Sequence, residues 1–549
     1  MLNLAILLEQ SARKLPDHEA IVFAEHRLTY AQVNGAANQV ANRLQKLGIG
    51  PGDKVALTCP NLPYFPIVYF GILKTGAVVV PLNVLFKRGE VAYHLRDSDA
   101  KAYFCFEGTP ELPMAEEGRA GFDEVDACEH FFVMTADPRK ERKEGQAPLS
   151  KERVPSAQQS AERGACPSFL CPSFLEGVET LGAILGGQSP LFETVQTRAD
   201  DTAVILYTSG TTGRPKGAEL SHSNMVMNAI MCRDMFECTS EDVGLVVLPL
   251  FHSFGQTCLM NAGLCTGMTL VLLPRFEPEA VLAAMEREKV TVFAGVPTMY
   301  WGLLNCPAAD DYDLAEIEKN LRICSSGGAS LPVQVLRDFE AKFNVPILEG
   351  YGLSETSPVA SFNQLGQERK PGSIGTPIWG IEMAVVDAGD QPVPAGERGE
   401  IVIRGHNVMK GYYKRPEANA EAIRNGWFHS GDVGTMDEDG YFYVVDRTKD
   451  MVIRGGFNVY PREVEEVLMS HPDISLAAVL GVPDEKLGEE IKAFVVLKEG
   501  SELTPETIRA WAKENIAAYK YPRVVEIRQS LPMTATGKIL KTKLRAEKV

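Results

Sequence analysis

The stretch YTSGTTGRPKGAELSH, residues 207–222, concentrates glycine, hydroxyl and cationic side chains in one predicted loop. Glycine lets the backbone approach a ligand closely, and exposed N–H groups and hydroxyls bind anionic oxygen. The spacing differs from the G-x-x-x-x-G-K-[ST] phosphate loop, because Pro215 precedes Lys216 and Gly217 follows it. We interpret the loop as a cradle for polyphosphate, although such a turn can also simply connect a strand to the next element.

Three further segments place polar residues where buried strands are predicted to end. LPLFHSFG contains His252, SSGGASLP turns at Gly327 and Gly328, and EGYGLSET offers Tyr351 for stacking and Glu355 as a Mg²⁺ ligand. Open α/β sheets bind ligands at this edge, outside the carboxyl ends of their strands. Each residue alone has a structural alternative, since a lone His is often structural and Glu355 could cap a helix.

Three polar residues lie farther along the chain. HSGDVG supplies Asp432, an acceptor suited to sugar hydroxyls, and Arg447 is a planar cation with bidentate reach. PMTATGKILKTKLR places Lys538 after a Thr-Gly turn. Singly, Asp432 could close a turn and Lys538 could be one more surface lysine.

Apolar β-rich runs alternate with helical patterns and would position these loops. The predicted strands cover residues 54–58, 77–81, 203–207, 244–248, 268–273, 290–293 and 321–325, with a helix over 64–73. Strands spaced by helices predict βαβ units and mainly parallel sheets covered on both faces. Short strands and turns over 381–403 predict a small β subdomain.

Two stretches interrupt this pattern. Residues 137–196 are rich in charge, Pro, Gly and Ser and repeat CPSFL directly, which predicts a surface insertion or flexible loop. DRTKDMVIRGG, residues 446–456, ends a strand-like run in charges and paired glycines. About 100 residues remain beyond it, a length suited to one small domain.

Composition bounds the function. A chain of 549 residues with 45% hydrophobic and 23% charged residues is too long for one core and typical of a globular protein. The net charge of −17 argues against nucleic-acid binding. Eleven cysteines without a C-x-x-C pair fit reduced thiols, and Cys166 and Cys171 have no nearby His for a metal site. With no signal-peptide pattern and no apolar run long enough to span a bilayer, we predict a cytoplasmic protein.

Together, YTSGTTGRPKG, YGLSET, HSGDVG and DRTKDMVIRGGFNVYP, in this order, resemble the signatures of the adenylate-forming superfamily: acyl-CoA synthetases, peptide-synthetase adenylation domains and luciferases. The resemblance runs from residue 27 to residue 545, except over 137–196. It implies an α/β fold: an N-terminal domain over 1–446, with αβ-layered sheets and a small β subdomain, and a mobile C-terminal α+β lid over 447–549. It also implies ATP, Mg²⁺ and coenzyme A as cosubstrates and cofactor.

The resemblance further implies a two-step reaction. A carboxylate attacks the α-phosphorus of ATP, pyrophosphate leaves, and a thiol then displaces AMP from the acyl-AMP. The implied catalytic residues are Lys538, His252, Thr208 and Glu355, with Thr208 and Glu355 near Mg²⁺. The implied nucleotide-binding residues are Thr208, Ser209, Gly210, Thr211, Thr212, Gly213, Lys216, Gly327, Gly328, Ala329, Gly350, Tyr351, Gly352, Thr356, Asp432, Arg447 and Lys538. Between the two steps the lid is expected to rotate about Lys449 and to bring Gly455 and Gly456 to a pantetheine tunnel.

The sequence leaves alternatives for the acid substrate and for the acceptor of the acyl group. HSFGQTCLMNAGL and GVPTMYWGLL are apolar and favour a medium- or long-chain fatty acid. Tyr300, Trp301 and Phe254 could equally frame an aryl acid such as a cinnamate. The intact GGFNVYP favours coenzyme A, the alternatives being a carrier protein and an adenylate-binding protein without turnover. A homodimer and peripheral membrane contact through a lipid substrate are compatible with the sequence.

Overall fold

The computed structural model describes residues 1–136, 177–208, 214–447, 450–484 and 486–547. Ser209, Gly210, Thr211, Thr212 and Gly213 of the predicted phosphate loop lie outside the described residues, as do Lys449 and residues 137–176. Among the described cysteines every thiol is free and most are buried. Within these ranges, none of the helices combines the length and the apolar character needed to cross a membrane.

The first part of the chain alternates strands and helices as predicted. Its elements are α1 (Ile6–Lys14), β1 (Glu19–Phe23), β2 (His26–Thr29), α2 (Tyr30–Lys46), β3 (Lys54–Thr58), α3 (Tyr64–Lys74), β4 (Val78–Pro81), α4 (Arg88–Asp97), β5 (Ala100–Phe106), α5 (Met114–Phe122) and β6 (His130–Met134). Helix α3 is apolar on all sides and almost wholly buried. Gly71 allows its close packing, because a Cβ there would lie 2.6 Å from Val40 Cβ in α2.

The middle part carries the remaining strands of two large sheets and the β subdomain. Its elements are β7 (Glu179–Thr180), α6 (Leu181–Gly187), β8 (Thr202–Thr208), β9 (Lys216–Ser221), α7 (His222–Met235), β10 (Val243–Val246), a π-helix (Phe254–Asn261), α8 (Ala262–Thr266), β11 (Thr269–Leu272), α9 (Pro278–Glu288), β12 (Val292–Gly295), α10 (Pro297–Leu304), a 3₁₀ turn (Ala309–Asp311), α11 (Leu314–Asn320), β13 (Ile323–Ser326), α12 (Val333–Phe343), β14 (Ile347–Gly352), a 3₁₀ turn (Ser354–Thr356), β15 (Val359–Phe362), β16 (Thr376–Pro377), β17 (Ile381–Val386), β18 (Gly399–Gly405), β19 (Gly411–Tyr412), α13 (Pro416–Ala422), β20 (Ile423–Arg424), β21 (Trp427–Met436) and β22 (Phe442–Arg447).

Two large sheets have parallel centres, and both edges of the nine-stranded sheet and the β19 edge of the eight-stranded sheet are antiparallel. The eight-stranded sheet has the order β19-β9-β8-β4-β3-β5-β6-β7, and the nine-stranded sheet has the order β16-β15-β14-β13-β12-β10-β11-β1-β2. All seven predicted strands occur in them, and β10 to β14 pair in parallel, so their carboxyl ends meet at one edge. The predicted αβ-layered fold is therefore confirmed.

The interpretation of 137–196 as an insertion or flexible loop is wrong for its last twenty residues. Strand β7 extends the eight-stranded sheet by pairing in parallel with β6. The segment after α6 is held by α2, where Asn42 Nδ2 donates to Ser189 O at 2.9 Å and Gln39 Nε2 donates to Gln188 O at 3.0 Å. The polar composition of this segment does not predict these contacts, because polar side chains of α2 form hydrogen bonds to its backbone.

The β subdomain and the end of the chain follow the predicted order. Strands β17, β18, β21 and β20 form a five-stranded sheet together with β22. The last elements are β23 (Val452–Arg454), β24 (Phe457–Val459), α14 (Pro461–Met469), β25 (Ile474–Asp484), β26 (Gly488–Leu497), α15 (Pro505–Asn515), β27 (Val524–Ile527) and α16 (Lys541–Ala546). They enclose a second hydrophobic core that begins at Val452, whereas the first core ends at Phe442. A smaller α+β unit thus follows the large one, as the fold class predicted.

Candidate active site

Four side chains converge where the β8–β9 hairpin meets the 3₁₀ turn Ser354–Thr356. Thr208 Oγ1 donates a hydrogen bond to Glu355 Oε1 at 3.3 Å, and Tyr412 Oη donates to the same oxygen at 2.8 Å. Thr208 and Lys216 are cross-strand partners, so the loop between them leaves and re-enters the sheet at one point. Lys216 Nζ lies 5.3 Å from the centroid of the Tyr412 ring. Hydroxyl, carboxylate and ammonium groups therefore surround the base of this loop.

Two neighbouring parallel strands end beside this cluster. Gly327 and Gly328 follow β13, and β14 carries Gly350, Tyr351 and Gly352. Gly328 has φ +79°, and a Cβ there would come within 3.1 Å of Lys538 Cε. A turn with a bare backbone face therefore lies directly against the side chain of Lys538.

Lys538 reaches this place on a short loop of the second unit. Its backbone N–H donates to Thr534 Oγ1 at 3.0 Å, and Thr534 N–H donates to Lys538 O at 2.7 Å. The carbonyl of Gly537 accepts a hydrogen bond from the Thr298 hydroxyl at the start of α10. The loop is thus closed on itself and attached to the larger unit one residue before the lysine.

His252 lies within electrostatic range of Lys538. Burial, together with the positive charge of Lys538, lowers the pKa of His252 to about 3. Its Nδ1 accepts the N–H of Phe254 at 3.4 Å, which assigns that nitrogen as unprotonated. The imidazole is therefore neutral at physiological pH and can accept or relay a hydrogen bond there, but not hold a positive charge.

Tyr351 and Asp432, predicted to contact adenine and ribose, lie together. Tyr351 Oη donates to Asp432 Oδ2 at 2.6 Å, and Asp432 pairs across the sheet with the backbone of Arg447. Thr356 is fully buried, and its hydroxyl accepts from Leu353 N–H at 2.9 Å, so it closes the 3₁₀ turn.

The remaining predicted residues divide into two groups. Ala329 follows Gly328 and is exposed on the same turn. Gly455 and Gly456 lie elsewhere, in the exposed β23–β24 turn, where Gly455 N–H donates to Leu487 O at 2.8 Å. The structure thus brings Thr208, Lys216, Tyr412 and Glu355 together, places Lys538 against Gly328, and exposes the β23–β24 turn.

The donor set fits a magnesium ion bound together with a nucleotide. Among the residues that the structure describes, no three His, Cys, Asp or Glu side chains converge as metal ligands. Mg²⁺ does not need such a cage, because it commonly binds through one or two carboxylates together with substrate phosphates. Glu355 and Thr208 supply one carboxylate and one hydroxyl at the base of the predicted phosphate loop.

Sequence reasoning missed two groups at the site. Tyr412 comes from β19, a two-residue edge strand almost two hundred positions after the loop, and its motif gave no signal beyond a pair of tyrosines. Glu349 on β14 is buried, and this burial raises its pKa to about 7 while Leu331 N–H donates to Oε1 at 2.9 Å. Its position directly before the Gly-Tyr-Gly turn was a usable signal.

Family models match both units of the chain. The family model of the AMP-binding enzymes matches residues 8–413, and that of the AMP-binding enzyme C-terminal domain matches residues 463–538. A long-chain-fatty-acid–CoA ligase of Bacillus subtilis (strain 168) is 37% identical, with 99% of this chain and 94% of the relative covered. A feruloyl-CoA synthase of an Amycolatopsis species is also 37% identical, with 97% and 96% covered.

Solved structures resemble the whole chain. The anthranilate CoA ligase AuaEII in complex with anthranoyl-AMP matches with a TM-score of 0.85 and 29% identity, covering 99% of this chain and 96% of that one. ATP-bound MatB from Rhodopseudomonas palustris matches with a TM-score of 0.82 and 31% identity, covering 100% and 99%. Both the large and the small unit are included in these matches.

Proposed function

This chain belongs to the AMP-binding enzyme family and is an adenylate-forming CoA ligase, and we propose that its acid substrate is a medium- or long-chain fatty acid. As a member of that class it uses ATP, Mg²⁺ and coenzyme A. A fatty acid is the finer assignment, and it rests on the chemistry of the segments beside the reactive centre.

One observation supports the assignment of roles at the reactive centre. Lys538, on the small unit, lies against the Gly328 turn, whereas Thr208 and Glu355 lie at the base of the phosphate loop on the large unit. A cation on one side and a hydroxyl–carboxylate pair on the other suit a bound nucleotide whose α-phosphate meets an acid between them.

In this proposal the chain's own groups act mainly through charge and position. The ammonium of Lys538 stabilises the negative charge that develops while the acid's carboxylate attacks the α-phosphorus, and Lys216 holds the departing phosphates. Glu355 and Thr208 would hold Mg²⁺, which would supply further positive charge for the phosphate oxygens. Tyr351, Gly350 and the turn Gly327–Gly328 would frame the adenine, and Asp432 the ribose. Neutral His252 would line the passage to the thiol.

We propose that the same chain then changes shape for thioester formation. Residues 447–549 would act as a lid that rotates about Lys449, carrying Lys538 away and bringing Gly455 and Gly456 to the thiol. A boundary residue with two backbone settings is sufficient for such a hinge. The exposed position of the β23–β24 turn leaves it available for that second docking.

The contacts of Tyr300 and Trp301 favour a fatty acid. Tyr300 is fully buried, packs against Phe293 and Phe339, and donates its hydroxyl to Ser325 O at 2.6 Å. Trp301 Nε1 donates to Ser475 Oγ at 2.8 Å on the small unit. Two of the three rings that could frame an aryl acid are therefore engaged in other contacts.

An aryl acid is the second candidate. The feruloyl-CoA synthase relative is as similar to this chain as the long-chain ligase is. Phe254, the third ring, would lie 3.3 Å from a Cβ at Gly327, so it borders the reactive turn and could stack on a substrate ring.

The test is pyrophosphate release from ATP and Mg²⁺ with a panel of acids, each with and without coenzyme A. The panel runs from C8 to C18 fatty acids and includes ferulate, 4-coumarate, benzoate and amino acids. We expect release to depend on chain length, since each buried CH₂ contributes about 0.8 kcal/mol. Lys538→Ala is the control for adenylation at this site.

Other outcomes discriminate the alternatives. Preference for ferulate or benzoate would replace the fatty acid by an aryl acid. Accumulation of acyl-AMP that coenzyme A does not discharge would point to a carrier protein as acceptor. ATP binding without pyrophosphate release on any acid would contradict the enzymatic assignment.

A further inference from the structure

We propose that Tyr412 is a positioning residue that ties the cation-binding carboxylate of Glu355 to the phosphate-binding Lys216. The inference rests on the proposed function, because it assumes that Glu355 and Lys216 meet a metal-bound nucleotide. Tyr412 would act through Glu355 and Lys216, the two side chains that it contacts.

The carboxylate of Glu355 accepts its side-chain hydrogen bonds through one oxygen. Both donors, the hydroxyls of Tyr412 at 2.8 Å and Thr208 at 3.3 Å, reach the same oxygen, Oε1. Within the part of the chain that the structure describes, no side-chain donor reaches Oε2. One oxygen thus fixes the carboxylate plane, and the other keeps its lone pairs for a cation.

The hydrogen bond between Tyr412 and Glu355 joins a phenol to a carboxylate. The Tyr412 hydroxyl is the donor, and Glu355 Oε1 accepts at 2.8 Å. A hydrogen bond that a carboxylate accepts is charge-assisted. Such bonds are shorter and stronger than neutral ones.

The ring of Tyr412 also contacts Lys216, the lysine at the end of the phosphate loop. Lys216 Nζ lies over the Tyr412 ring at 5.3 Å from its centroid, within the range of a cation–π attraction. The same side chain therefore supports Lys216 with its face and Glu355 with its hydroxyl. A single rigid ring sets the spacing between the two groups.

The backbone of Tyr412 is itself held by its neighbours. Strand β19 pairs with β9, and Tyr412 lies opposite Ala218. Tyr412 N–H donates to Asn419 Oδ1 at 2.6 Å. Gly411 permits that clamp, because its φ is +147° and a Cβ would lie 2.7 Å from Asn419 Nδ2. A side chain on so fixed a backbone can hold its neighbours in place.

The test compares Tyr412→Phe with Tyr413→Phe. Phenylalanine at 412 keeps the ring and removes the bond to Glu355. The control removes a neighbouring hydroxyl that donates to Asp99 Oδ2 at 2.6 Å, away from the site. ATP affinity is measured by titration calorimetry across a series of Mg²⁺ concentrations, and thermal melting checks that both variants fold.

We expect a selective change in the metal dependence. In Tyr412→Phe the Mg²⁺ concentration that half-saturates ATP binding should rise about tenfold, because a hydrogen bond to a charged group is lost. ATP affinity without metal should change little, since the ring still supports Lys216. Tyr413→Phe should match the unmodified protein in both measurements.

A second pair of variants separates positioning from general damage. Tyr412→Phe combined with Glu355→Gln should bind ATP and Mg²⁺ no worse than Glu355→Gln alone, because both changes act on one carboxylate. Additive losses, equal shifts in the two tyrosine variants, or no shift in Tyr412→Phe would overturn the inference.

The same titration distinguishes this inference from the proposed function. If ATP and Mg²⁺ bind but no acid elicits pyrophosphate release, the proposed function fails while the role of Tyr412 is still decided. If the unmodified protein shows no Mg²⁺-dependent ATP binding, both are overturned.

Discussion

The two sides of the candidate site are built differently. Thr208, Lys216 and Tyr412 all lie on strands of one sheet, and hydrogen bonds join Thr208 and Tyr412 to Glu355. Lys538 instead comes from the second core on a short loop. Side-chain contacts join the second core to the large unit, among them Thr298 with Gly537, Trp301 with Ser475 and Arg462 with the carbonyl of Val444.

The difference teaches which part of the reaction each side serves. A fixed side suits a group that must be held throughout, such as the phosphates, because preorganised dipoles need no rearrangement during reaction. A side carried on a separate core suits a group needed for one step, because contacts between two cores can be exchanged without unfolding either one. Variants on the delivered side should therefore affect one half-reaction, and variants on the fixed side should affect nucleotide binding.

The largest expected effect is that of Lys538→Ala. Adenylation should fall by about 10²- to 10³-fold, since a charge aimed at the developing transition state is removed. Thioester formation from supplied acyl-AMP should change far less. Single-turnover pyrophosphate release and coenzyme A consumption measure the two steps, with the exposed Lys543→Ala as control. Equal losses in both steps would break the comparison.

Gly328→Ala should come next. A methyl group at Gly328 would press on Lys538 Cε at 3.1 Å, and the positive φ adds about 1–2 kcal/mol of backbone strain. Gly426 has φ +80° with nothing within 4 Å of its Cβ position, so Gly426→Ala carries the strain without the contact. We expect both variants to have lower melting temperatures than the unmodified protein. Only Gly328→Ala should also show slower adenylation, by about tenfold. Equal adenylation rates in Gly328→Ala and Gly426→Ala would argue against a contact between residue 328 and Lys538.

Thr298→Val should have a smaller effect on the same step. Valine keeps the shape and removes the hydrogen bond to Gly537 O, so Lys538 would dock less firmly. Adenylation should fall about three- to tenfold, the equivalent of one ordinary hydrogen bond. Thioester formation from acyl-AMP should be unchanged or faster, because under the proposed lid rotation this contact belongs to the adenylation arrangement alone. A slower second step would contradict this assignment.

The smallest effect is expected from Glu349→Gln, and it concerns the dependence of the melting temperature on pH. Burial raises the pKa of Glu349 to about 7, so the folded state holds a proton that the unfolded chain releases near pH 4.5. Stability contributed by this group is complete below pH 4.5 and declines as the pH rises to 7. Glutamine keeps the acceptor for Leu331 N–H and cannot ionise.

The melting temperature of Glu349→Gln should therefore rise relative to that of the unmodified protein between pH 5 and pH 8. The difference between the two should change by about 2 °C over this range. Differential scanning calorimetry at four pH values measures the gap. A gap that stays constant with pH would show that the carboxyl ionises freely in the folded protein.

Local patterns were sufficient for much of the fold. Strands such as Lys54–Thr58 and helix Tyr64–Lys74 lie where apolar runs and their punctuation predicted them, because burial on both faces of a parallel sheet demands uninterrupted apolar residues. The contribution of residues 177–196 to the first sheet was not predictable, because its partners lie on α2 and β6 far earlier in the chain.

The site shows the same division. Sequence alone determined the chemical groups, their order, and the resemblance that ties them to ATP, since glycine, hydroxyl, carboxylate and lysine in fixed local motifs are legible without contacts. Tertiary structure decided that Tyr412 supports Glu355, that Tyr300 is committed to the core, and that Lys538 lies against Gly328. Those facts depend on contacts between separate elements of the chain, and burial and distance are properties of those contacts rather than of any local stretch of sequence.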